Sequence, residues 1–259
     1  MNLQLTFDED ACNYDRWRPL YTAELFNDII RYASVDRAKH ALEIGIGTGQ
    51  ATQPILTTGC HVTAIDAGEN LTNYTGKKFS SFPHFNIQHV TFENFDANNN
   101  SYDLIFSATA FHWIAEDTGL EKIYRLLKPG GVVALFWNHP FVNREDNVLH
   151  RRLQALYRQY RPESKVPVEF SRADLHHYKD AMVRYGFCDI SARLYPAVRV
   201  LKAEEYIRLL NTYSDHRALD NEIRMKFEEA ISSTITRTGG EVTVYDTMDL
   251  YLARKPVRK

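Results

Sequence analysis

The chain has 259 residues, with 31 basic and 33 acidic side chains and a formal net charge of -2. This balance argues against a protein that nucleic acid holds by bulk electrostatics, so we expect no nucleic-acid partner. No apolar run approaches the roughly 18–20 residues of a membrane span, and the polar N-terminus does not resemble a signal peptide. The three cysteines are far apart, which excludes a disulfide scaffold and favours a reducing, cytoplasmic compartment.

The N-terminal part of the chain predicts a polar segment followed by a helix. Apolar residues recur at helical spacing between Leu25 and Ala33. The residues before Leu20 contain too few apolar positions to bury themselves independently. We therefore expect 1–34 to form a lid and a helix, with the lid ordering when a ligand supplies contacts.

Between His40 and Trp137 the pattern changes to short apolar runs separated by helical stretches. Such runs suit strands that are covered on both faces. Their alternation with helices predicts a doubly wound, mostly parallel sheet. The predicted strands of this part are 40–44, 61–65, 85–90, 102–107 and 132–137. The sequence KPGG at 128–131 predicts the end of the helix before the fifth strand.

After Pro140 the alternation of predicted strands and helices becomes less regular. Two further strands are predicted at 187–200 and 241–253, which brings the sheet to seven. Helices are predicted at 144–161, 172–185, 203–210 and 217–235. No linker is evident, so we predict one α/β domain over 1–259. Its parts are a core (38–140), a helical cap with the sixth strand (141–230) and a last strand (241–254).

A tight glycine loop follows the first predicted strand, in the sequence EIGIGTG of residues 43–49. Glycines there let the backbone approach a ligand closely, with N–H groups facing it. The spacing differs from the G-x-G-x-x-G loop that faces the pyrophosphate of a dinucleotide, so a nicotinamide-dependent oxidoreductase is disfavoured. The tighter loop, with Glu43 two residues before Gly45, suits a ligand that carries an amino acid and a nucleoside but no phosphate.

An acid ends the second predicted strand. Asp66 lies 17 residues after Gly49, where a carboxylate can accept both hydroxyls of a ribose. The alternative is a plain glycine turn beside a surface aspartate. The coupled order of strand, loop, helix, strand and acid favours the cofactor interpretation.

These motifs, with YDLI at 102–105 and LKPGG at 127–131, resemble class I S-adenosylmethionine-dependent methyltransferases over residues 38–137. Three further segments resemble the methyltransferase-11 type, which includes trans-aconitate methyltransferase-like enzymes: Tyr14–Pro19, Ala110–Ile114 and Thr212–Arg217. The resemblance implies a Rossmann-like methyltransferase fold and S-adenosylmethionine as cofactor. It also implies methyl transfer to a small-molecule acceptor, with a carboxylate as one option. The alternative is a cofactor-binding or regulatory protein without turnover, because methyl transfer leaves no obligatory catalytic residue.

The resemblance also implies the roles of individual residues at the cofactor site. Glu43 would organise the glycine loop through backbone N–H groups, and Asp66 would hold the ribose. Phe92 and Glu93 would border the adenine. Phe92 would contact it through its ring or its backbone N–H. The residues around the methionine moiety and the sulfonium would be Tyr14, Gly45, Gly47, Gly49, Ser107 and Ala108.

The acceptor is expected near 107–114, because ligands bind outside the carboxyl ends of the strands in an open parallel sheet. His112 is the predicted catalytic residue. It could take a proton from a hydroxyl or amine, or pair with a carboxylate. The predicted substrate residues are Arg18, Trp113, Trp137 and Tyr213.

Structural roles stay open for several of these side chains. His112 could cap the next helix, Trp113 could be a core residue, and Arg18 could pair with a nearby acid.

The histidines show no metal-ligand spacing, so we predict no metal. We expect a monomer or a homodimer.

Overall fold

The computed structural model describes residues 11–257, with side chains from Asn13 onwards. Residues 1–10 of the predicted lid lie outside this range. The chain divides into two compact units. Unit 1 comprises Met1–Pro19, His139–Phe170 and Pro196–Thr247, and unit 2 comprises Leu20–Asn138, Ser171–Tyr195 and Met248–Lys259.

Helices and strands alternate through the first half of the chain. The helices are α1 (Ala11–Trp17), α2 (Ala23–Ala33), α3 (Thr52–Leu56), α4 (Glu69–Lys78), α5 (Glu116–Leu126), α6 (Val148–Tyr160), α7 (His176–Arg184), α8 (Ala203–Leu210), α9 (Ser214–Arg217) and α10 (Asn221–Arg237). The strands are β1 (His40–Ile44), β2 (His61–Asp66), β3 (Phe85–His89), β4 (Tyr102–Ala108), β5 (Leu127–Phe141), β6 (Cys188–Lys202) and β7 (Glu241–Arg254). Short 3₁₀ helices cover Phe111–Trp113 and Arg172–Leu175.

The strands form one seven-stranded sheet in the order β3-β2-β1-β4-β5-β7-β6. The first five strands of that order pair in parallel. The chain reverses its direction of winding at β1, because β2 lies on one side of β1 and β4 lies on the other. This confirms the predicted α/β class. It also places the carboxyl ends of β1 and β4 side by side, which is where a doubly wound sheet binds its ligand.

Burial explains why these runs form central strands. The side chains of β1 after His40 are buried, as are Leu104, Ile105 and Phe106 of β4. Strands buried on both faces need apolar residues at successive positions rather than in alternation. Leu25 and Ile29 of helix α2 are fully buried, and its Phe26 packs edge-on against Phe136 of β5, with ring centres 6.0 Å apart. Thr22 caps its N-terminus by accepting a hydrogen bond from the backbone N–H of Leu25.

Strand β5 is longer than predicted. The fifth strand was predicted to begin at 132, whereas β5 begins at Leu127, where it already pairs with β4. Gly130 has a positive φ of 79° and donates its N–H to the carbonyl of Lys255. The glycines therefore bend the strand without ending its hydrogen bonding, and the register with β4 shifts at this point.

Two predicted helices are interrupted in the structure. The stretch 172–185 divides into a 3₁₀ turn and α7, and Ser171 caps the turn in a reciprocal capping box with Asp174. The stretch 217–235 divides into α9 and α10, because Asp220 accepts hydrogen bonds from the first N–H groups of α10. The side-chain cap at Asp220 thus sets the start of α10, which apolar spacing alone did not indicate.

Unit 1 has a hydrophobic core of its own, in which α10 packs against α6 and α8. Phe227, Ile231 and Ile235 of α10 are fully buried. The other buried members of this core are Leu149, Leu153, Tyr206, Leu209, Leu210, Val242 and Val244. The core residues of α10 recur at intervals of four, so one face of the helix is apolar.

Two findings concern the described part of the chain as a whole. Within residues 11–257, no helix has both the length and the apolar character that a membrane crossing requires. Within the same range, no group of three or more His, Cys, Asp and Glu side chains could hold a metal ion.

Candidate cofactor and acceptor site

The glycine loop after β1 adopts a backbone that side chains disfavour. Gly45, Gly47 and Gly49 all have positive φ, at 71°, 55° and 80°. A Cβ on Gly45 would lie 2.4 Å from Cβ of Ala110, and one on Gly49 would lie 2.3 Å from the ring of Phe79. The glycines are therefore required by the turn and by its close packing against the β4 end and α4.

Helix α4 braces this loop from the other side. The hydroxyl of Thr75 donates to the carbonyl of Gly47 at 2.7 Å, and Nζ of Lys78 donates to the carbonyl of Thr48 at 2.9 Å. Two consecutive carbonyls of the loop are thus fixed towards α4. Neither residue could be predicted from the sequence, since nothing in their spacing sets them apart from an ordinary helix face.

Asp66 joins the glycine loop to the start of α4. One carboxylate oxygen accepts the N–H of Gly47 and the other accepts the N–H of Gly68, each at 2.8 Å. A carboxylate oxygen has about two lone-pair directions, so it can accept further hydrogen bonds while it holds a backbone N–H. Asp66 therefore contacts the loop and orders it, and its predicted role at the ribose stays a prediction.

Glu43 lies beneath the loop and is 1% exposed. Its Oε2 accepts a hydrogen bond from the hydroxyl of Thr52 at 2.7 Å, whereas its Oε1 has no hydrogen-bond partner among residues 13–257. Burial, with Asp66 as a further negative charge nearby, raises the pKa of Glu43 to about 8. The predicted contact with loop N–H groups is not the one the structure shows, because the nearest donor is a threonine of α3.

The segment after β3 was predicted to border the adenine. Phe92 is 4% exposed, so its ring belongs to the core, while Glu93 is exposed. Burial of the ring favours the backbone of Phe92 over its ring face for any contact with a ligand. Nζ of Lys122 donates to the carbonyls of Phe92, Glu93 and Phe95 at 2.6, 3.0 and 2.5 Å. One ammonium therefore fixes the path of this whole segment.

The carboxyl end of β4 is tied to β1. Ser107 is fully buried and donates its hydroxyl to the carbonyl of Ile44 at 2.8 Å. Ala108 follows as the last residue of the strand, and Thr109 then adopts a left-handed backbone with φ of 51°. Its hydroxyl lies 2.6 Å from that of Tyr21. A β-branched residue in this region is strained, and such strain clusters at functional sites.

Three of the predicted acceptor residues meet beyond this strained residue. Nε1 of Trp137 donates to Nδ1 of His112 at 3.0 Å, and the rings of His112 and Trp113 are 4.9 Å apart. Trp137 is itself held by Tyr178, whose ring stacks on the indole at 4.5 Å with an interplanar angle of 13°. The sequence missed Tyr178, which lies 41 positions from Trp137 and on a different element.

The bond from Trp137 determines which nitrogen of His112 carries a proton. Because Nδ1 accepts the indole N–H, the neutral ring has its proton on Nε2. His112 therefore presents an N–H donor rather than a basic nitrogen at Nε2. Of the two roles predicted for His112, this geometry fits pairing with a carboxylate and not removal of a proton.

The remaining predicted residues form a separate cluster in unit 1. The guanidinium carbon of Arg18 lies 4.8 Å from the ring centre of Tyr14 and 4.7 Å from that of Tyr213. The guanidinium also donates to the carbonyl of Thr212 at 2.8 Å. The structure thus brings Tyr14, Arg18 and Tyr213 together in unit 1, whereas His112, Trp113 and Trp137 belong to unit 2.

The comparisons with known proteins agree with this fold and loop. Residues 42–135 match the methyltransferase-11 family, whose description is Methyltransferase domain. A methyltransferase-like protein of Schizosaccharomyces pombe, itself uncharacterized, is 27% identical over 98% of this chain and 97% of its own length. A malonyl-(acyl-carrier protein) O-methyltransferase of a Paenibacillus species is 30% identical over 65% of this chain and 63% of its own length.

A solved structure shares the fold at lower identity. Phosphoethanolamine N-methyltransferase 2 of Haemonchus contortus, in complex with S-adenosyl-L-methionine, has a TM-score of 0.57 and 15% identity. The match covers 97% of this chain and 56% of that one. Residues 42–135 match a methyltransferase domain. The parallel sheet, the glycine loop with its acid and the methyltransferase-named relatives support a class I S-adenosylmethionine-dependent methyltransferase. Its activity is methyl transfer.

Proposed function

We propose that the protein transfers the methyl group of S-adenosylmethionine to a carboxylate oxygen of a small organic acid. The observation that carries the choice of acceptor is the hydrogen bond from Trp137 to Nδ1 of His112. It leaves His112 as a donor at Nε2, and a donor suits a nucleophile that is already ionised. An ionised carboxylate needs no general base, whereas an alcohol or an ammonium must lose a proton before or during attack.

The residues present fit the cofactor. Glu43 offers a buried oxygen without a hydrogen-bond partner among the described residues, which suits the ammonium of the methionine moiety. Asp66 suits the ribose hydroxyls, and the backbone of 92–95 suits the adenine. When bound, S-adenosylmethionine supplies an electrophilic methyl group on a positively charged sulfur.

The chain's own residues would position the acceptor. His112 would donate Nε2–H to one carboxylate oxygen, and the fixed ring of Trp137 would keep that donor in place. The other carboxylate oxygen would then form the new bond to the methyl carbon while the bond from carbon to sulfur breaks. No proton is released, since a carboxylate and a sulfonium give a neutral ester and a neutral thioether. Alignment and exclusion of water are therefore the main tasks of the site.

Arg18 and Tyr213 are proposed to act on the acceptor, and Tyr14 on the cofactor. The guanidinium of Arg18 is held by two rings and by the carbonyl of Thr212. Such a planar group is suited to a planar carboxylate. The relative named as an O-methyltransferase gives further support for an oxygen acceptor. We further propose a small-molecule acceptor over a macromolecular one.

A panel of matched acceptors tests the proposal. Hexanoate, hexanol and hexylamine, together with di- and tricarboxylates, would be offered with S-adenosylmethionine, and S-adenosylhomocysteine would be measured. We expect product with at least one acid, at a rate that His112→Phe lowers by about 10-fold or more, since a hydrogen bond to a charged group contributes about 1.5–3 kcal/mol. Turnover with the amine or the alcohol and with none of the acids would contradict the proposed acceptor.

A further inference from the structure

Unit 1 encloses a cavity of about 450 Å³ that lies entirely within its own residues. Helices α6 and α8 line it, together with the segment 164–167 and the turn that leads into α9. Its inner wall is apolar, and Leu209, Leu210 and Val244 are all at most 2% exposed. An apolar cavity of this size is typical of sites for small organic ligands.

A ring nitrogen of His216, which lines this cavity, has no hydrogen-bond partner among residues 13–257. His216 is 3% exposed, and its Nε2 is hydrogen-bonded to the hydroxyl of Tyr157 at 3.1 Å. The nitrogen without a partner in that range is Nδ1. Burial lowers the pKa of His216 to about 4, so the ring is neutral near pH 7. A buried ring nitrogen without a hydrogen-bond partner is costly. Because the ring is neutral, it places no charge against an apolar ligand in the cavity.

The residues at the mouth of the cavity carry positive charge. Arg158 and Lys165 line it and are exposed. Arg161 also lines it and pairs with Asp215 at 2.7 Å. Three basic side chains therefore face one acidic side chain, and the excess charge favours an anionic group at the opening.

We infer that unit 1 carries a binding site for a monocarboxylic acid with an apolar body. The apolar body would lie against Leu209, Leu210 and Val244, and the carboxylate would lie between Arg158 and Lys165. A cavity of 450 Å³ holds about 15 water-sized groups, so an acid of about 12 non-hydrogen atoms, such as decanoate, fits. The inference rests on unit 1 alone and does not depend on the proposed methyl acceptor.

Calorimetry with the full chain and without S-adenosylmethionine tests this site. Decanoate would be compared with hexanoate, which has the same charge on a shorter chain, and with decanol, which has the same chain without the charge. We expect decanoate to bind about 10-fold more tightly than decanol, and about 100-fold more tightly than hexanoate, which lacks four CH₂ groups. Equal affinity for decanoate and decanol, or no binding of decanoate, would overturn the inference.

Variants locate the ligand without disturbing the core. Val142→Trp would fill the cavity from a half-buried position, and Lys165→Glu would reverse a charge at its mouth. Each should weaken decanoate binding by about 10-fold. The matched controls are Val148→Trp and Arg151→Glu on the surface of α6, outside the cavity.

Equal loss in the variants and in their controls would overturn the assignment of the site. Methyl-transfer assays with the same acid then distinguish two roles of the bound acid, methyl acceptor or effector. Formation of decanoate ester makes the acid an acceptor, and binding without ester makes it an effector of the enzyme.

Discussion

Trp137 donates its indole N–H to Nδ1 of His112 across 3.0 Å, although His112 follows β4 and Trp137 lies within β5. Tyr178 stacks on the same indole and fixes its plane. The histidine at the carboxyl end of β4 is therefore oriented by β5 and α7. This arrangement makes His112 a positioned donor.

Removing only this hydrogen bond should weaken catalysis while cofactor binding stays intact. Trp137→Phe keeps an aromatic ring against Tyr178 but has no N–H to donate. We expect kcat/KM to fall by about 10-fold, since one hydrogen bond that positions a reacting group is lost. Affinity for S-adenosylhomocysteine, measured by calorimetry, should stay within a few-fold. A parallel loss of cofactor affinity would show that Trp137 supports the cofactor site instead.

Asp66 should be essential for cofactor affinity. Asp66→Ala removes the acceptor for the N–H groups of Gly47 and Gly68 and the proposed acceptor for the ribose hydroxyls. We expect affinity for S-adenosylmethionine to fall by about 10-fold or more, as hydrogen bonds to a charged group contribute about 1.5–3 kcal/mol each. Glu69→Ala, an exposed acid three residues away, is the control. Equal affinity of a folded Asp66→Ala protein and wild type would place the ribose elsewhere.

Glu43 should make the free protein less stable at alkaline pH. Its pKa is raised to about 8 by burial, so the folded state binds a proton that the unfolded state has already lost. The unfolding free energy should therefore fall as pH rises from about 4.5 to 8. Glu43→Gln removes this titration and should flatten that part of the profile, measured by urea unfolding.

The same substitution should weaken the cofactor site. Gln presents no negative charge to the proposed ammonium, so affinity for S-adenosylmethionine should fall by about 10-fold. Glu24→Gln, on the exposed start of α2, controls for the loss of one charge. An unchanged stability profile together with unchanged affinity would mean that Glu43 has a purely structural role with Thr52.

Lys122 is expected to position the segment that borders the adenine. Lys122→Met retains a long apolar stem but cannot donate to the three carbonyls of 92–95. We expect amides of this segment to exchange faster with solvent and cofactor affinity to fall by about 10-fold. Lys122→Arg should restore part of the slow amide exchange and part of the cofactor affinity. Lys179→Met, on the exposed face of α7, should leave the exchange and the affinity unchanged. If exchange and affinity stay at wild-type values in Lys122→Met, the segment is held by its own packing.

The central sheet could be predicted from the sequence because its strands are buried on both faces. Runs such as 102–107 are apolar at successive positions, and helical spacing separates them. The starts of β5 and α10 could not be predicted in this way. They depend on a bent strand at Gly130 and on a side-chain cap at Asp220, which apolar periodicity does not record.

Part of the candidate site was also predictable. The loop at 43–49 and Asp66 belong to one strand-loop-helix unit, so their spacing along the chain fixes their proximity. The partners of His112 and of the 92–95 segment are 25 to 30 residues away and meet only after the sheet forms. No local pattern marks Lys122 or Tyr178, because a lysine and a tyrosine on a helix are ordinary in the sequence, and both are half-buried only once the fold forms.

The chemistry of the methylated product tests the account most directly. The protein would be incubated with methyl-tritiated S-adenosylmethionine and the acid that the acceptor panel identifies, and the product would then be treated with mild alkali. An ester of a carboxylate hydrolyses under these conditions, so the account predicts that the label is released as volatile methanol. Label that stays in an alkali-stable product would contradict transfer to a carboxylate oxygen.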